Sequence, residues 1–117
     1  MSDAWDKTGG DLPDDLAVLS PVTRRSARVI ALFLRQAPIE LARLEAAIAE
    51  GDRETTKDVA HKLKGSCRAV GASRVAELCD LIERSEVSDA SSKYGRLVIE
   101  LDRARALLEA EQAKIAG

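Results

Sequence analysis

Apolar residues recur at intervals of three and four along most of the chain, which places them on one face of an α-helix. The clearest run lies at about 23–50, where the apolar positions are Ile30, Leu34, Ala37, Leu41, Leu44 and Ile48. This spacing predicts one long helix that packs lengthwise against its neighbours. Because the register continues unchanged across Pro38, we expect this proline to kink the helix rather than to divide it.

The remaining apolar runs predict three further helices. Gly51 supplies a stop signal and Asp52 an N-cap, so a tight turn should lead into a second helix at about 53–70. A third helix is expected at about 73–85 and the last at about 92–115, with the polar stretch 85–92 as a loop between them. Amphipathic helices with short connections predict an all-α fold, an antiparallel up-down four-helix bundle.

The beginning of the chain fits this bundle less well. Residues 1–12 contain a glycine pair and scattered acids, without a sustained apolar period. At 13–19 a short turn of helix is expected, because proline suits a first helical position. We therefore divide the chain into an N-terminal arm or short extra helix at 1–20 and the four-helix bundle at 21–117.

Composition narrows the classes of function. The chain has 117 residues, 45% of them hydrophobic, and a formal net charge of −2. Its length suits a single domain, and its charge gives no general attraction to nucleic acid or to an anionic membrane. No signal segment is visible, and no apolar stretch approaches the roughly 20 residues that span a bilayer. We expect a cytoplasmic monomer that binds another protein or a small ligand.

Two cysteines, Cys67 and Cys79, both fall at apolar positions of predicted helices. Because the cytoplasm keeps thiols reduced, we interpret them as core residues rather than as a disulfide. One histidine and two core-facing cysteines do not make a ligand set, so no metal site is expected in this chain.

The second predicted helix carries the candidate chemistry. On a helical wheel, the stripe that faces the core consists of Val59, Leu63, Ser66 and Val70. His61 is the only histidine of the chain. It lies about 160° from Val59 on the wheel, so it should point to solvent. A lone exposed histidine is often only a tolerated surface residue, and its neighbours must decide whether it has a role.

Four residues on the outward face favour phosphoryl chemistry at His61. Gly65 lies one turn later in mid-helix, where glycine costs about 1 kcal/mol relative to alanine, and its missing side chain would let another protein come close. The cations of Lys57, Lys64 and Arg68 would stabilise the roughly two negative charges of a phosphoryl group. An unperturbed imidazole has a pKa of about 6.5, so its neutral, nucleophilic form is well populated near neutral pH.

The same stretch resembles a known family. The run AHKLKGS at 60–66, followed by Gly71-Ala72 and by LCDLIE at 78–83, is similar to the signature of histidine-containing phosphotransfer (HPt) domains. The LFL run at 32–34 also sits where that family's long helix has similar residues. The resemblance covers about 23–110.

This resemblance implies a four-helix bundle in which His61 accepts and donates a phosphoryl group, supported by Lys64 and Gly65. It implies exchange with the aspartate of response-regulator receiver domains, or with a hybrid sensor histidine kinase, in a two-component phosphorelay. The receiver is expected to supply the Mg²⁺ that the transfer needs. The chain itself is expected to bind no cofactor and no ATP, which makes it a stoichiometric phosphoryl carrier rather than an enzyme.

Two alternatives stay open at this point. A histidine kinase dimerisation fragment also presents a histidine on a helix, but its motif usually continues with an acidic residue, whereas Lys62 follows His61. The chain also contains no glycine-rich nucleotide-binding motif. The other alternative is a non-catalytic helical interaction module in which His61 is incidental.

Overall fold

The structure is a computed structural model that describes residues 16–19 and 26–116. Its helices are α1 (Ala27–Ala49), α2 (Arg53–Val70), α3 (Ser73–Arg84) and α4 (Val87–Ala116), and no strand occurs in the two described ranges. Each helix packs against the next one along the chain, and α4 returns to pack against α1. The predicted all-α four-helix bundle is confirmed. Within the same ranges, none of the helices combines the length and the apolar character needed to cross a membrane.

Helix α1 begins later than the apolar pattern indicated. The side chain of Ser26 accepts a hydrogen bond from the backbone N–H of Val29 at 3.1 Å, so Ser26 is the N-cap. The helix therefore begins at Ala27, one residue after this cap, rather than near residue 23. Residues 20–25 lie outside the described ranges. It then continues as one element through Pro38, as the unbroken register predicted.

Two short turns determine how α2 lies between its neighbours. Gly51 ends the first turn in the left-handed conformation, with a φ of 68°. Asp52 then accepts a hydrogen bond from the Thr55 amide at 3.1 Å, which confirms the predicted N-cap. At the other end, Gly71 is left-handed with a φ of 76°. Because glycine lacks Cβ, it adopts this conformation without steric cost.

The predicted loop at 85–92 is wrong in its length. Helix α4 begins at Val87 rather than near residue 92, which leaves only Ser85 and Glu86 as the connection. The physical reason is Ala90, which is fully buried and lies two helical turns before the buried Leu97. The polar residues around Ala90 favour a loop by composition, but serine and aspartate also occur in the first turn of helices.

The short helix expected at 13–19 is wrong for the part that the structure describes. Residues 16–19 form an irregular segment with bends, and residues 1–15 lie outside the described ranges. Leu16, Val18 and Leu19 are partly buried against the core. The Leu16 carbonyl also accepts a hydrogen bond from Arg74 Nε at 2.6 Å. The apolar residues of this segment therefore pack on the bundle without forming a helical turn.

The inward face of α2 largely agrees with the helical wheel. Its buried residues are Thr56, Val59, Ala60, Leu63, Cys67 and Val70. Ser66, which the wheel places in the same stripe, is only half-buried. The buried stripe is centred between Val59 and Ala60 rather than on Val59, so Ser66 lies at its edge. Cys67 and Cys79 are both free thiols and fully buried, as predicted. This packing leaves the opposite face of α2 accessible.

Candidate functional site

His61 stands on the outward face of α2, with 69% of its side chain exposed. Its Nδ1 lies 2.9 Å from Oε2 of Glu83 on α3. A carboxylate can only accept a hydrogen bond, so Nδ1 must carry the proton, and in the neutral ring the lone pair is then on Nε2. The geometry therefore fixes the ring through one nitrogen and leaves the other as an accessible nucleophile.

Behind this pair, charged side chains of α2 and α3 alternate in sign. Lys64 Nζ lies 2.7 Å from Glu83 Oε1 and 3.1 Å from Asp80 Oδ1. Asp80 in turn accepts a hydrogen bond from Arg84 Nε at 2.8 Å through its other oxygen. We call the set of His61, Glu83, Lys64, Asp80 and Arg84 the α2–α3 ionic network.

The network shifts the pKa of its members in the directions that favour their charged forms. Partial burial acts to raise the pKa of Glu83, but hydrogen bonds from Lys64 and His61 outweigh it and hold the pKa below its ordinary 4.5. Burial also acts to raise the pKa of Asp80, but hydrogen bonds from Lys64 and Arg84 outweigh it and hold this pKa below its ordinary 3.8. The hydrogen bonds from Lys64 to Glu83 and Asp80 raise the lysine pKa above 10.5. At neutral pH the negative charges of Glu83 and Asp80 cancel the positive charges of Lys64 and Arg84.

The structure separates the cations that the sequence grouped around the histidine. Lys64 is only 11% exposed, and its ammonium contacts carboxylates on the Nδ1 side of the ring. Lys57 is half-buried and Arg68 is exposed on the outward face of α2. Neither of these two forms an ion pair with any residue in the described ranges. Lys64 is therefore already neutralised, whereas no carboxylate within the described ranges neutralises the other two cations.

Gly65 is exposed, and a Cβ added at this position would meet no atom within 4 Å. The backbone there is ordinary right-handed helix, so no internal contact and no unusual conformation requires glycine. The intrinsic cost of glycine in a helix is therefore not offset inside this chain. The missing side chain therefore leaves open space on the surface of α2, one turn from His61.

An apolar groove lies on the other side of α2, towards α1. It encloses about 370 Å³, and its walls include Leu32, Phe33 and Ala69. Leu32 is 49% exposed. At the polar end of the groove, Lys62 Nζ forms an ion pair with the buried carboxylate of Glu40 at 3.1 Å. Lys62 follows His61 directly in the sequence, but the ring of His61 lies on the α3 side of the helix and does not line this groove.

Sequence reasoning missed the roles of Glu83 and Asp80. A wheel of one helix places residues on a face, but it contains no information about which residues a second helix brings opposite them. The spacing around the turn does contain that information. His61 lies eleven residues before Ala72 and Glu83 eleven after it, while Lys64 and Asp80 lie eight before and eight after. In an antiparallel helical hairpin, residues equidistant from the turn lie at the same height, and they meet where both also lie on the facing sides of the two helices.

Residues 28–107 match a family model described as the Hpt domain. Two solved structures share the fold. Histidine-containing phosphotransfer protein B (HptB) from Pseudomonas aeruginosa PAO1 has a TM-score of 0.72 and 25% identity, covering 75% of this chain and 80% of that one. The HPT domain of the Hpt sensor hybrid histidine kinase from Shewanella has a TM-score of 0.69 and 20% identity, covering 78% and 82%. No curated protein sequence matches this chain.

Proposed function

Since the chain belongs to the Hpt domain family and is a histidine phosphotransfer protein of two-component phosphorelays, we propose that His61 is the residue that carries the phosphoryl group. The observation that supports this assignment is the state of its ring. The imidazole is 69% exposed, and Glu83 binds its Nδ1 at 2.9 Å, so Nε2 is the free nucleophile. His61 is also the only histidine of the chain.

In the accepting direction, the lone pair of Nε2 attacks the phosphorus of an aspartyl phosphate on a receiver domain. The N–P bond forms as the P–O bond to the aspartate breaks in line, and the carboxylate leaves with the bonding electrons. Nδ1 keeps its proton, so positive charge develops on the ring. The Glu83 carboxylate, 2.9 Å from Nδ1, stabilises that charge.

The same geometry allows the reverse transfer. When a receiver aspartate attacks the phosphorus, the N–P bond breaks, and its electron pair returns to Nε2. The leaving group is then a neutral imidazole, because Nδ1 is still protonated. No general base is needed in either direction, which agrees with a carrier that both accepts and donates.

The surface around His61 supports docking of a folded partner. Gly65 provides space for the partner's backbone close to the ring. Lys57 and Arg68 place two cations on the accessible side of α2. We propose that these three residues contact the receiver domain, and that Lys64 acts on the reaction mainly through Glu83.

We also propose that this chain is a monomeric, cytoplasmic carrier without its own ATP site. Within the described ranges, no three or more His, Cys, Asp or Glu side chains are grouped to hold a metal ion. We propose that the acidic pocket of the receiver domain supplies the Mg²⁺ for the transfer. Incubation with Mg²⁺ and ATP alone should leave the protein unlabelled, and sedimentation should give the mass of one chain.

The decisive experiment is transfer from a receiver domain that carries a radioactive phosphoryl group. The protein should acquire a label that acid removes and base does not, as expected for a phosphorus–nitrogen bond. His61→Gln should abolish the label while circular dichroism shows an unchanged helix content. Asp58→Asn, which alters an exposed residue one turn away on α2, should remain labelled. Persistent labelling of the His61→Gln protein would reject the assignment.

A further inference from the structure

The position of the Lys64 ammonium is unusual for a cation expected to support a phosphoryl group. It lies between Glu83 Oε1 at 2.7 Å and Asp80 Oδ1 at 3.1 Å. Glu83 separates it from the ring, since the other oxygen of the same carboxylate binds His61 Nδ1. A phosphoryl group on Nε2 would be on the opposite side of the ring. Lys64 would have to leave its carboxylates to reach it.

Asp80 is the member of the network whose only connection to the reaction runs through Lys64. It contacts Lys64 with Oδ1 and Arg84 with Oδ2, and no contact joins it to His61. Glu83, in contrast, contacts both His61 and Lys64. If Asp80 were uncharged, Lys64 would keep only one carboxylate, which it would share with the imidazole. The hold on the ammonium would be weaker.

From this arrangement we propose that Asp80 is a positioning residue that withholds Lys64 from the phosphoryl oxygens and thereby favours onward transfer. The inference rests on the proposed role of His61. With Lys64 held by two carboxylates, the network has no net charge to offset the roughly two negative charges of the phosphoryl group. The phosphohistidine consequently has a higher free energy than it would with a free ammonium beside it, so the exchange equilibrium favours the receiver.

The test measures the equilibrium constant for phosphoryl exchange between the protein and one receiver domain. In Asp80→Asn the equilibrium should shift towards the phosphorylated Hpt protein by about threefold to fivefold, the size of one partly exposed charge interaction. Asp80→Ser removes the same carboxylate and provides a second variant should the first one fold poorly. Thermal unfolding checks that each variant is folded at the assay temperature.

Two controls separate positioning of Lys64 from a general change of charge. Asp58→Asn removes one exposed carboxylate close to His61 on α2 without any described contact to Lys64, so its equilibrium should change by less than about twofold. In a Lys64→Gln background, Asp80→Asn should lose most of its effect, because there is no ammonium to release. This dependence on Lys64 is a coupling that a purely structural role of Asp80 would not produce.

The outcomes distinguish this inference from the function on which it depends. If neither Asp80 variant shifts the equilibrium, or if the shift is equally large in the Lys64→Gln background, Asp80 does not act by withholding Lys64. If the unaltered protein accepts no phosphoryl group on His61, the assignment of His61 is wrong instead. A shift that requires Lys64 supports the proposal.

Discussion

The inward and outward faces of α2 contrast strongly, although the same 18 residues supply both. On the inward face Leu63, Cys67 and Val70 are fully buried. On the outward face His61 is 69% exposed, and Gly65 has open space beside it. His61 and Leu63 are two residues apart and differ completely in surroundings. One face of the helix therefore contributes to stability and the other carries the exposed histidine, so that each can be altered separately.

The two faces also depend on different forces. The inward contacts are apolar and depend on close packing, so their contribution follows the volume that is filled. The contacts of the outward face are ionic hydrogen bonds with fixed partners, and their contribution depends on charge and direction. Substitutions on the inward face should change the free energy of unfolding, whereas substitutions around His61 should change the rate of phosphoryl transfer.

The largest expected effect is on the inward face. Leu63→Ala leaves a cavity beside fully buried neighbours and should lower the free energy of unfolding by about 2 to 5 kcal/mol in a urea titration. Arg68→Ala, an exposed change on the same helix, should stay within about 0.5 kcal/mol. Transfer by the folded fraction of Leu63→Ala should remain normal. A cost below about 1 kcal/mol would show that the core of α2 is less tightly packed than the structure indicates.

A smaller effect is expected from Glu83→Gln. Glutamine can still accept a hydrogen bond from His61 Nδ1–H, but it lacks the charge that stabilises the developing imidazolium. Acceptance of the phosphoryl group should slow by about tenfold, which corresponds to about 1.4 kcal/mol of transition-state stabilisation. Rapid-quench kinetics with a saturating phosphorylated receiver would measure it. Glu83→Ala, which removes the acceptor as well, should be slower still, and equal rates for the two variants would exclude a role for the charge.

Gly65→Gln should have opposite consequences for stability and transfer. Replacing glycine in the exposed middle of a helix should raise the free energy of unfolding by about 0.5 to 1 kcal/mol. The new side chain should slow transfer severalfold, because it fills the space through which the partner approaches. Gly65→Ala provides a smaller side chain with a similar gain in helix propensity. Transfer at the normal rate in both variants would argue against docking at this position.

The smallest expected effect is the contribution of the α2–α3 ionic network to the pH dependence of stability. Because the pKa values of Glu83 and Asp80 lie below the ordinary 4.5 and 3.8, their stabilisation is present above those values and is lost as acid protonates them in the folded state. The raised pKa of Lys64 gives a stabilisation present below 10.5 and lost at higher pH. Urea titrations at each pH should show a shallower acid decline when Glu83→Gln and Asp80→Asn are combined. If the free energy of unfolding fell equally steeply in acid in the double variant, these two carboxylates would not contribute to the pH dependence.

The features that the sequence predicted correctly depend on a single helix or a single turn. The exposure of His61 and the burial of Leu63 follow from the 3.6-residue period, which needs no knowledge of neighbouring helices. Gly51 and Asp52 are local signals in the same sense. The partner of His61 is different, because Glu83 becomes its neighbour only after α2 and α3 are paired.

Two of the errors at the ends of elements have one common cause. The predictions for residues 85–92 and 13–19 rest on local composition, in which serine and aspartate indicate a loop and proline indicates a helix start. Burial decided otherwise in the described part of each segment. Ala90 fills a core position and extends α4 towards its N-terminus, whereas Leu16 packs on the bundle from an irregular segment. Tertiary packing overrides local preference where that preference is weak.

The connection at Gly71 and Ala72 has a consequence for how the length of this hairpin can vary. The imidazole and its carboxylate are equidistant from this turn, so their alignment depends on the number of helical residues between the turn and each of them. One residue inserted within α3, between Ala72 and Glu83, would rotate Glu83 by about 100° around the helix and carry it away from the ring. The same insertion between α3 and α4 would leave the pair intact. An α3 lengthened in this way would therefore bring a residue from a different position of the helix opposite His61.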